Sequence, residues 1–214
     1  MAMFREHIGI GAIVAMVVTV GAYVYAITIE PYLLLLLFGV TTLGSILPDV
    51  DSDSGMPFYL VYGTATLTVT GLVVLYVMTY PPENPYILFG VPFTVFLFVW
   101  FVIGGIFKRF TSHRGIFHSI PMMGIAGLGT IMVSERLGFV GQPAYILGAG
   151  MAIGYLTHLV LDELHSTVNF EGIPFLPKKS LGTALKFFSS STGVNVATYT
   201  TLVLLWYSVQ PIVI

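Results

Sequence analysis

Three side chains that can bind a cation recur at helical spacing near residue 160. His158, Asp162 and His165 stand at positions i, i+4 and i+7 of a largely apolar segment. This spacing places them on one face of a helix, and imidazole and carboxylate groups on successive turns can bind one cation. Ionisable groups that face lipid cost free energy, so this face is expected to turn toward protein. The alternative is a His–Asp hydrogen bond that joins two helices without metal.

A second pair of histidines, His113 and His118, flanks Arg114. The two histidines are five positions apart and would not share a face of a straight helix, but a loop-to-helix junction at Gly115 would bring them together. The guanidinium of Arg114 is permanently charged and planar, which suits phosphate or carboxylate oxygens. Alternatively, Arg114 fixes the topology and contacts anionic lipid head groups.

Three aspartates alternate after Pro48, which is predicted to end a short helix: Asp49, Asp51 and Asp53. Carboxylates this close repel one another, and a bound cation removes that repulsion. The sequence therefore predicts that Asp49 and Asp51 bind metal. A solvated acidic turn is the alternative for both and the favoured interpretation for Asp53.

The composition indicates a membrane protein. Of 214 residues, 56% are hydrophobic and 8% are charged, against roughly 25% charged in soluble domains. The chain has no cysteine, which excludes disulfides and thiolate metal sites. Its net charge of −2, with eight scattered Lys and Arg residues, argues against nucleic acid as a partner.

Apolar runs predict an all-α, polytopic membrane helix bundle. A spanning helix needs about 20 mostly apolar residues, and four runs satisfy this: 8–29, 58–80, 86–107 and 194–214. Three shorter runs are predicted to be helices as well: about 31–47, 116–133 and 144–164. The run 8–29 is longer than the apolar part of a secretory signal and is expected to be a retained helix. We therefore expect about seven transmembrane or membrane-embedded helices in a single integral membrane domain, 1–214.

The basic residues orient this bundle. Arg136 falls on one side of the predicted membrane and all the other basic residues on the opposite side: Arg5, Lys108, Arg109, Arg114, Lys178, Lys179 and Lys186. The positive-inside rule makes the latter side cytoplasmic. The predicted metal ligands gather on the same face: His7, Asp49, Asp51, His113, His118, His158 and Asp162. His7, at the start of the first helix, is otherwise an ordinary interfacial histidine.

The combination and order of these residues resemble the YdjM-like family of inner-membrane proteins, described as LexA-regulated, membrane-bound metal-dependent hydrolases. The resemblance rests on the early His7, the Leu-Pro-Asp-Val-Asp turn at 47–51, the block 113–119, and 154–158 followed by Asp162; the segment 172–177 also looks similar to a family loop. It implies an inner-membrane protein with a metal site. His165 departs from the family pattern, where a small polar residue is usual, and ranks below His158 and Asp162. The spacing is also similar to that of zinc-dependent phospholipase C.

The preferred hypothesis is a metal-dependent hydrolase. The seven ligands are too many for one tetrahedral ion, so two divalent ions, zinc or manganese, are expected, bridged by Asp49. A metal-activated water would cleave a phosphoester of a lipid or head group at the cytoplasmic membrane face. Arg114 would hold the substrate's oxyanion, and Glu163 or His165 would move protons. Lys178 and Lys179 would attract an anionic head group.

Two other functions fit the same residues. A divalent-metal transporter predicts ionisable groups at mid-membrane on several helices, and the four long runs contain none. A non-catalytic protein in which metal staples short helices together is the second alternative. Complete ligation by protein favours the staple, whereas an open metal position that faces a cleft favours the enzyme.

Overall fold

Helices make up most of the part of the chain that the computed structural model describes, residues 4–51, 56–105, 115–167 and 185–209. Seven α-helices lie in these ranges: α1 (Phe4–Val24), α2 (Pro31–Gly44), α3 (Met56–Thr79), α4 (Pro85–Leu97), α5 (Ile120–Arg136), α6 (Gln142–Thr167) and α7 (Thr192–Val209). A 3₁₀-helix, Leu47–Asp51, follows α2, and a π-helical segment, Phe98–Ile103, continues α4. The predicted all-α class is confirmed.

Four of the described helices are long and apolar enough to cross a membrane. These segments are Glu6–Val24, Tyr62–Thr79, Pro85–Ile103 and Gln142–His165. The last segment belongs to α6, for which the sequence predicts only a shorter run, 144–164. Its mean hydropathy is 1.6 against 2.4 for Pro85–Ile103, because small and polar residues interrupt it. A membrane helix bundle is therefore the architecture.

Two helices end earlier than the sequence predicts. α1 ends at Val24 in a turn in which Ala26 has a φ of 51°, so residues 25–29 are not helical. α2 ends at Gly44, three residues before the predicted end at about residue 47, and Pro48 lies inside the 3₁₀-helix that follows. Proline has no N–H to donate to the carbonyl four residues earlier, and the α-helical bonding therefore stops one turn before it.

By internal contacts the chain divides into two compact units. The first unit comprises Met1–Pro48 and Arg114–Ile214, and the second comprises Asp49–His113. In the first unit, α6 packs against α1, α2 and α5, and α5 also packs against α7. In the second unit, α3 packs against α4 and the π-helical segment. The single integral domain, 1–214, stays a prediction.

Glycines bring α2 and α6 into backbone contact. A Cβ at Gly154 would lie 1.9 Å from the carbonyl oxygen of Thr41, and one at Gly44 would lie 2.4 Å from that of Met151. Small residues allow such close approach between membrane helices. Because His158 lies one turn after Gly154, this contact fixes its distance from α2.

Exposed aromatic side chains mark one end of the first unit. They lie at the end of α1 and at the starts of α2 and α6: Tyr23, Tyr25, Tyr32 and Tyr145. Tyr and Trp are enriched where membrane helices meet water. His7 and His158 lie toward the opposite ends of α1 and α6, and thus toward the other membrane interface.

Candidate metal centre

Three imidazoles surround the carboxylate of Asp162. The Nε2 atoms of His7, His118 and His158 lie 3.4, 3.5 and 3.9 Å from its oxygens. All four side chains are at most 1% exposed. With metal–nitrogen bonds of about 2.0–2.1 Å, neighbouring ligand atoms of a tetrahedral ion lie about 3.3–3.4 Å apart. The observed separations are therefore closer to those between ligand atoms of one cation than to the length of a direct charge-assisted hydrogen bond, about 2.8 Å.

The carboxylate of Asp162 is buried without the hydrogen bonds it needs. Neither oxygen, nor Nδ1 of His7, has a hydrogen-bond partner among the residues that the structure describes. A buried charged group without such partners costs several kcal/mol, and native structures leave few polar groups in this state. A cation bound between the imidazoles and the carboxylate would remove this cost.

His158 is held in the orientation that a metal ligand needs. Its Nδ1 lies 2.8 Å from the carbonyl oxygen of Ser45, so this nitrogen carries the proton and donates it. Nε2 is then left with its lone pair directed toward Asp162. Metal-binding histidines ordinarily donate their second nitrogen to a carbonyl or carboxylate in this way.

Ser45 connects three helices at the centre. It follows α2, and its hydroxyl lies 3.2 Å from the carbonyl oxygen of His7 in α1 and 2.7 Å from that of Thr42. Its own carbonyl accepts the bond from His158 in α6. The side chain is fully buried. Ser45 therefore fixes the relative positions of two of the histidines.

The imidazoles also contact one another. The rings of His7 and His158 stack with centroids 3.9 Å apart and an interplanar angle of 14°, and His118 meets His158 edge-on at 5.3 Å. Two stacked imidazolium ions would repel each other, and metal binds imidazole in its neutral form.

His118 is placed by the turn that precedes α5. Its N–H donates to the carbonyl of Gly115 at 3.3 Å, and the hydroxyl of Tyr155 in α6 donates to the carbonyl of Phe117 at 2.5 Å. Ser119 then adopts an extended conformation at the start of α5. The junction expected at Gly115 is therefore present, whereas His113 and Arg114 lie outside the described residues.

Asp49 extends the group of acidic and imidazole ligands. One ligand atom from each of Asp49, His118, His158 and Asp162 lies within 4.8 Å of every other, and this group could hold a metal ion. Asp49 follows Pro48 directly in the 3₁₀-helix. The side chain of Asp51 and the residues Asp53, Lys178 and Lys179 are outside what the structure describes.

His165 lies next to a different carboxylate. Its Nε2 is 3.5 Å from Glu6 Oε2, and its Nδ1 is 2.9 Å from the carbonyl oxygen of Leu161. One helical turn beyond Asp162, it reaches the more exposed Glu6 rather than the three-histidine group. Glu163 is half-buried on the same helix. The proton-transfer roles of His165 and Glu163 stay predictions.

A backbone contact that the sequence does not predict places Lys186 beside the candidate metal centre. Its carbonyl accepts the N–H of Ile120 at 3.0 Å, and its backbone forms a parallel β-bridge with Ser119. This places the backbone of Lys186 next to the residue that follows His118. The sequence indicates only the membrane side of Lys186, because no local pattern relates residue 186 to residue 119.

A membrane helix bundle with buried histidines around an aspartate defines the class of this protein. A protein-family model described as YdjM inner membrane protein matches residues 1–213. The chain therefore belongs to this family, as its motifs predict, and family and apolar helices together support the inner membrane as its location. No curated protein and no solved structure matches it.

Proposed function

We propose that this protein is a metal-dependent hydrolase of the inner membrane that cleaves a phosphoester of a lipid or head group at the cytoplasmic face. The observation that carries the proposal is the approach of three buried imidazoles to the one carboxylate of Asp162, at 3.4–3.9 Å. Neutral imidazole and carboxylate are the ligands that zinc and manganese accept in hydrolytic sites.

Each residue has a role in this proposal. His7, His118, His158 and Asp162 would hold a divalent ion, with Asp49 as a further ligand; a second ion would draw on Asp51 and His113. When bound, the metal supplies the Lewis acidity that makes water a nucleophile near neutral pH. Arg114 would hold the negative charge of the phosphoryl oxygens, and Glu163 or His165 would move protons. Lys178 and Lys179 would attract the anionic head group.

The cytoplasmic orientation rests on the basic residues, which favour the side on which the histidines lie. Reporter fusions after Pro82 and after Lys179 test this orientation, since they should report opposite sides of the membrane; the same side in both would contradict it.

Metal content and turnover test the function together. Detergent-purified wild type is expected to hold at least one equivalent of transition metal by mass spectrometry and to release phosphate or a head group from phospholipids or isoprenoid phosphates. Asp162→Asn and His158→Ala should lose both properties. Val160→Ala, an exposed position on the same helix, should keep them. Equal turnover in all four proteins would overturn the hydrolase.

Complete burial of the four side chains favours a second function, a metal staple. At most 1% of each is exposed, and metal binding alone can supply folding free energy. A staple predicts stoichiometric metal, strong stabilisation by it and no turnover of any phosphoester. The hydrolase predicts metal together with turnover, so the same measurements separate the two. A divalent-metal transporter is less well supported, because the ligands cluster near one end of the helices.

A further inference from the structure

An apolar groove runs along α5, α6 and α7 in the first unit. Its volume is about 860 Å³, within the roughly 300–1,000 Å³ of ligand sites. None of the residues that line it is acidic, basic or a histidine, and they include Gly124, Ile131, Ala149, Ala152 and Trp206. A ligand that occupies this groove is therefore bound mainly through apolar contact.

Small residues create the groove. A Cβ at Gly127 would lie 3.2 Å from the carbonyl oxygen of Gly148, so α5 and α6 meet closely at its floor. Ala149 is exposed into the groove and Ala152 is half-buried along it. A larger side chain at Ala149 would fill the space, whereas Ala152 borders the α5–α6 contact, since its Cβ would lie 3.3 Å from a Cβ at Gly127.

The groove is continuous with the surface that faces lipid. Val203, Trp206 and Tyr207 at its rim on α7 are 50%, 56% and 74% exposed. α6, which forms its floor, is long and apolar enough to span the membrane. A hydrocarbon chain could therefore enter sideways from the bilayer without crossing water, whereas a water-soluble ligand could not.

The helices that form the groove also carry the metal centre. Ala152 precedes His158 by about 9 Å along α6, and Tyr145 by about 20 Å, at 1.5 Å per residue. Half of a hydrocarbon core about 30 Å thick is about 15 Å. A lipid whose head group lies at His158 would thus have the distal part of its chain at the depth of the groove.

We infer that this groove binds one long hydrocarbon chain of the substrate, which makes the substrate class a long-chain lipid phosphoester rather than a soluble head-group ester. The identification of this bound lipid as the substrate rests on the proposed function. The binding of the chain itself is independent of catalysis and can be measured without turnover.

The chain's two tryptophans allow a direct binding measurement. In Trp100→Phe, Trp206 is the sole tryptophan and its emission can be excited selectively. Phosphatidylglycerol brominated near the ends of its acyl chains, titrated in detergent, should quench it saturably at about one lipid per protein. Ala149→Phe in this background should reduce quenching at least tenfold at the same lipid concentration. Ala197→Phe, an exposed position of α7 outside the groove, is the matched control and should leave it unchanged.

Three binding results would overturn the inference. They are absence of saturable quenching, quenching that Ala149→Phe leaves intact, and equal quenching of Trp100 in Trp206→Phe. The chain has no cysteine, so Val203→Cys supplies a single thiol. Disulfide cross-linking of two chains through it, combined with absence of lipid quenching, would assign the groove to a second copy instead.

Kinetics separate this inference from the proposed function. Ala149→Phe should raise KM for a long-chain phosphatidic acid at least tenfold, whereas the control Ala197→Phe, outside the groove, should leave that KM unchanged. Equal KM values for the long-chain substrate in wild type and Ala149→Phe would overturn the inference. Absence of turnover in every protein would overturn the hydrolase, while saturable quenching of Trp206 would still support the hydrocarbon site.

Discussion

The two units differ in how their apolar helices are covered. In the second unit, 6% of the segment Pro85–Ile103 is buried by protein, although its mean hydropathy of 2.4 exceeds that of the other candidate spans in the described residues. In the first unit, 56% of the segment Gln142–His165 is buried at a hydropathy of 1.6. Lipid tails solvate apolar side chains as well as protein does, so the hydropathy of a helix does not predict how much of it other helices cover. Small and polar residues on the helix predict this better.

The polar contacts between helices also differ between the two units. In the first unit, Ser45 and His158 join separate helices through fully buried groups. In the second unit, the hydroxyl of Tyr62 in α3 donates to the carbonyl of Val99 in the π-helical segment, where the irregular bonding of a π-turn changes the pairing of backbone carbonyls. Among the described residues, buried polar side chains thus join the helices of the first unit, whereas in the second unit the Tyr62 hydroxyl contacts backbone.

Metal removal should cause the largest difference in stability between the two units. A ligand at 1,000 times its Kd stabilises the folded state by about 4 kcal/mol, so a chelator should lower the stability of the first unit by this order. Hydrogen exchange measured by mass spectrometry should show loss of protection at the ends of α1 and α6 near His7 and Asp162. α3 and α4 should change little. Uniform deprotection of both units, or of neither, would contradict the contrast.

Gly154→Ala should cause the next largest change. The added Cβ would lie 1.9 Å from the Thr41 carbonyl oxygen, and overpacking of this kind costs about 1–3 kcal/mol or more. The Tm in detergent should fall and metal content with it, because His158 moves away from α2. Gly71→Ala in α3 is the control, since its Cβ would meet nothing within 4 Å. A Tm for Gly154→Ala equal to that of this control would refute the close α2–α6 contact.

Ser45→Ala should weaken the first unit more modestly. It removes the hydroxyl that bonds the His7 carbonyl, and one such hydrogen bond contributes about 1 kcal/mol. The backbone carbonyl that orients His158 remains, so metal should still bind, with affinity reduced less than in His158→Ala. Competition with a coloured chelator measures the difference. Metal loss as complete as in His158→Ala would mean that the hydroxyl, rather than the carbonyl, controls the centre.

Tyr62→Phe should have the smallest effect on stability and leave metal binding unchanged. It deletes the hydroxyl that donates to Val99, at a cost of about 0.5–1.5 kcal/mol. We expect a small fall in Tm, with metal content equal to that of wild type. Loss of metal in this variant would show that the centre depends on a contact wholly inside the second unit.

The sequence predicts the helices and much of the centre because both depend on local spacing. Run lengths predict the membrane helices, and the i, i+4 relation places His158 and Asp162 on one face of α6. The approach of His7 and His118 followed only from topology, since apolar runs and basic residues assign both to the same membrane face. The structure brings all four side chains together.

Other features could not be predicted, because they depend on contacts between backbones. Ser45 acts through its carbonyl, which every residue possesses, so its type gives no signal. Lys186 approaches Ser119 through a β-bridge between distant segments. His165 shares the helical face of His158 but meets Glu6 instead, because the position of α1 along α6 decides which carboxylate it reaches. Sequence spacing predicts which residues share a face of a helix, but it does not predict which residues of other helices contact that face.

The pairing of His7 in α1 with Asp162 in α6 has a consequence for biogenesis. About 150 residues separate the two, and at 5–20 residues per second their synthesis is separated by roughly 8–30 s. During this interval the first helix is already available for insertion while its carboxylate partner has not been made. Assembly of the buried group around Asp162 is therefore a late event, and a nascent chain that stops before α6 contains His7 without its carboxylate partner.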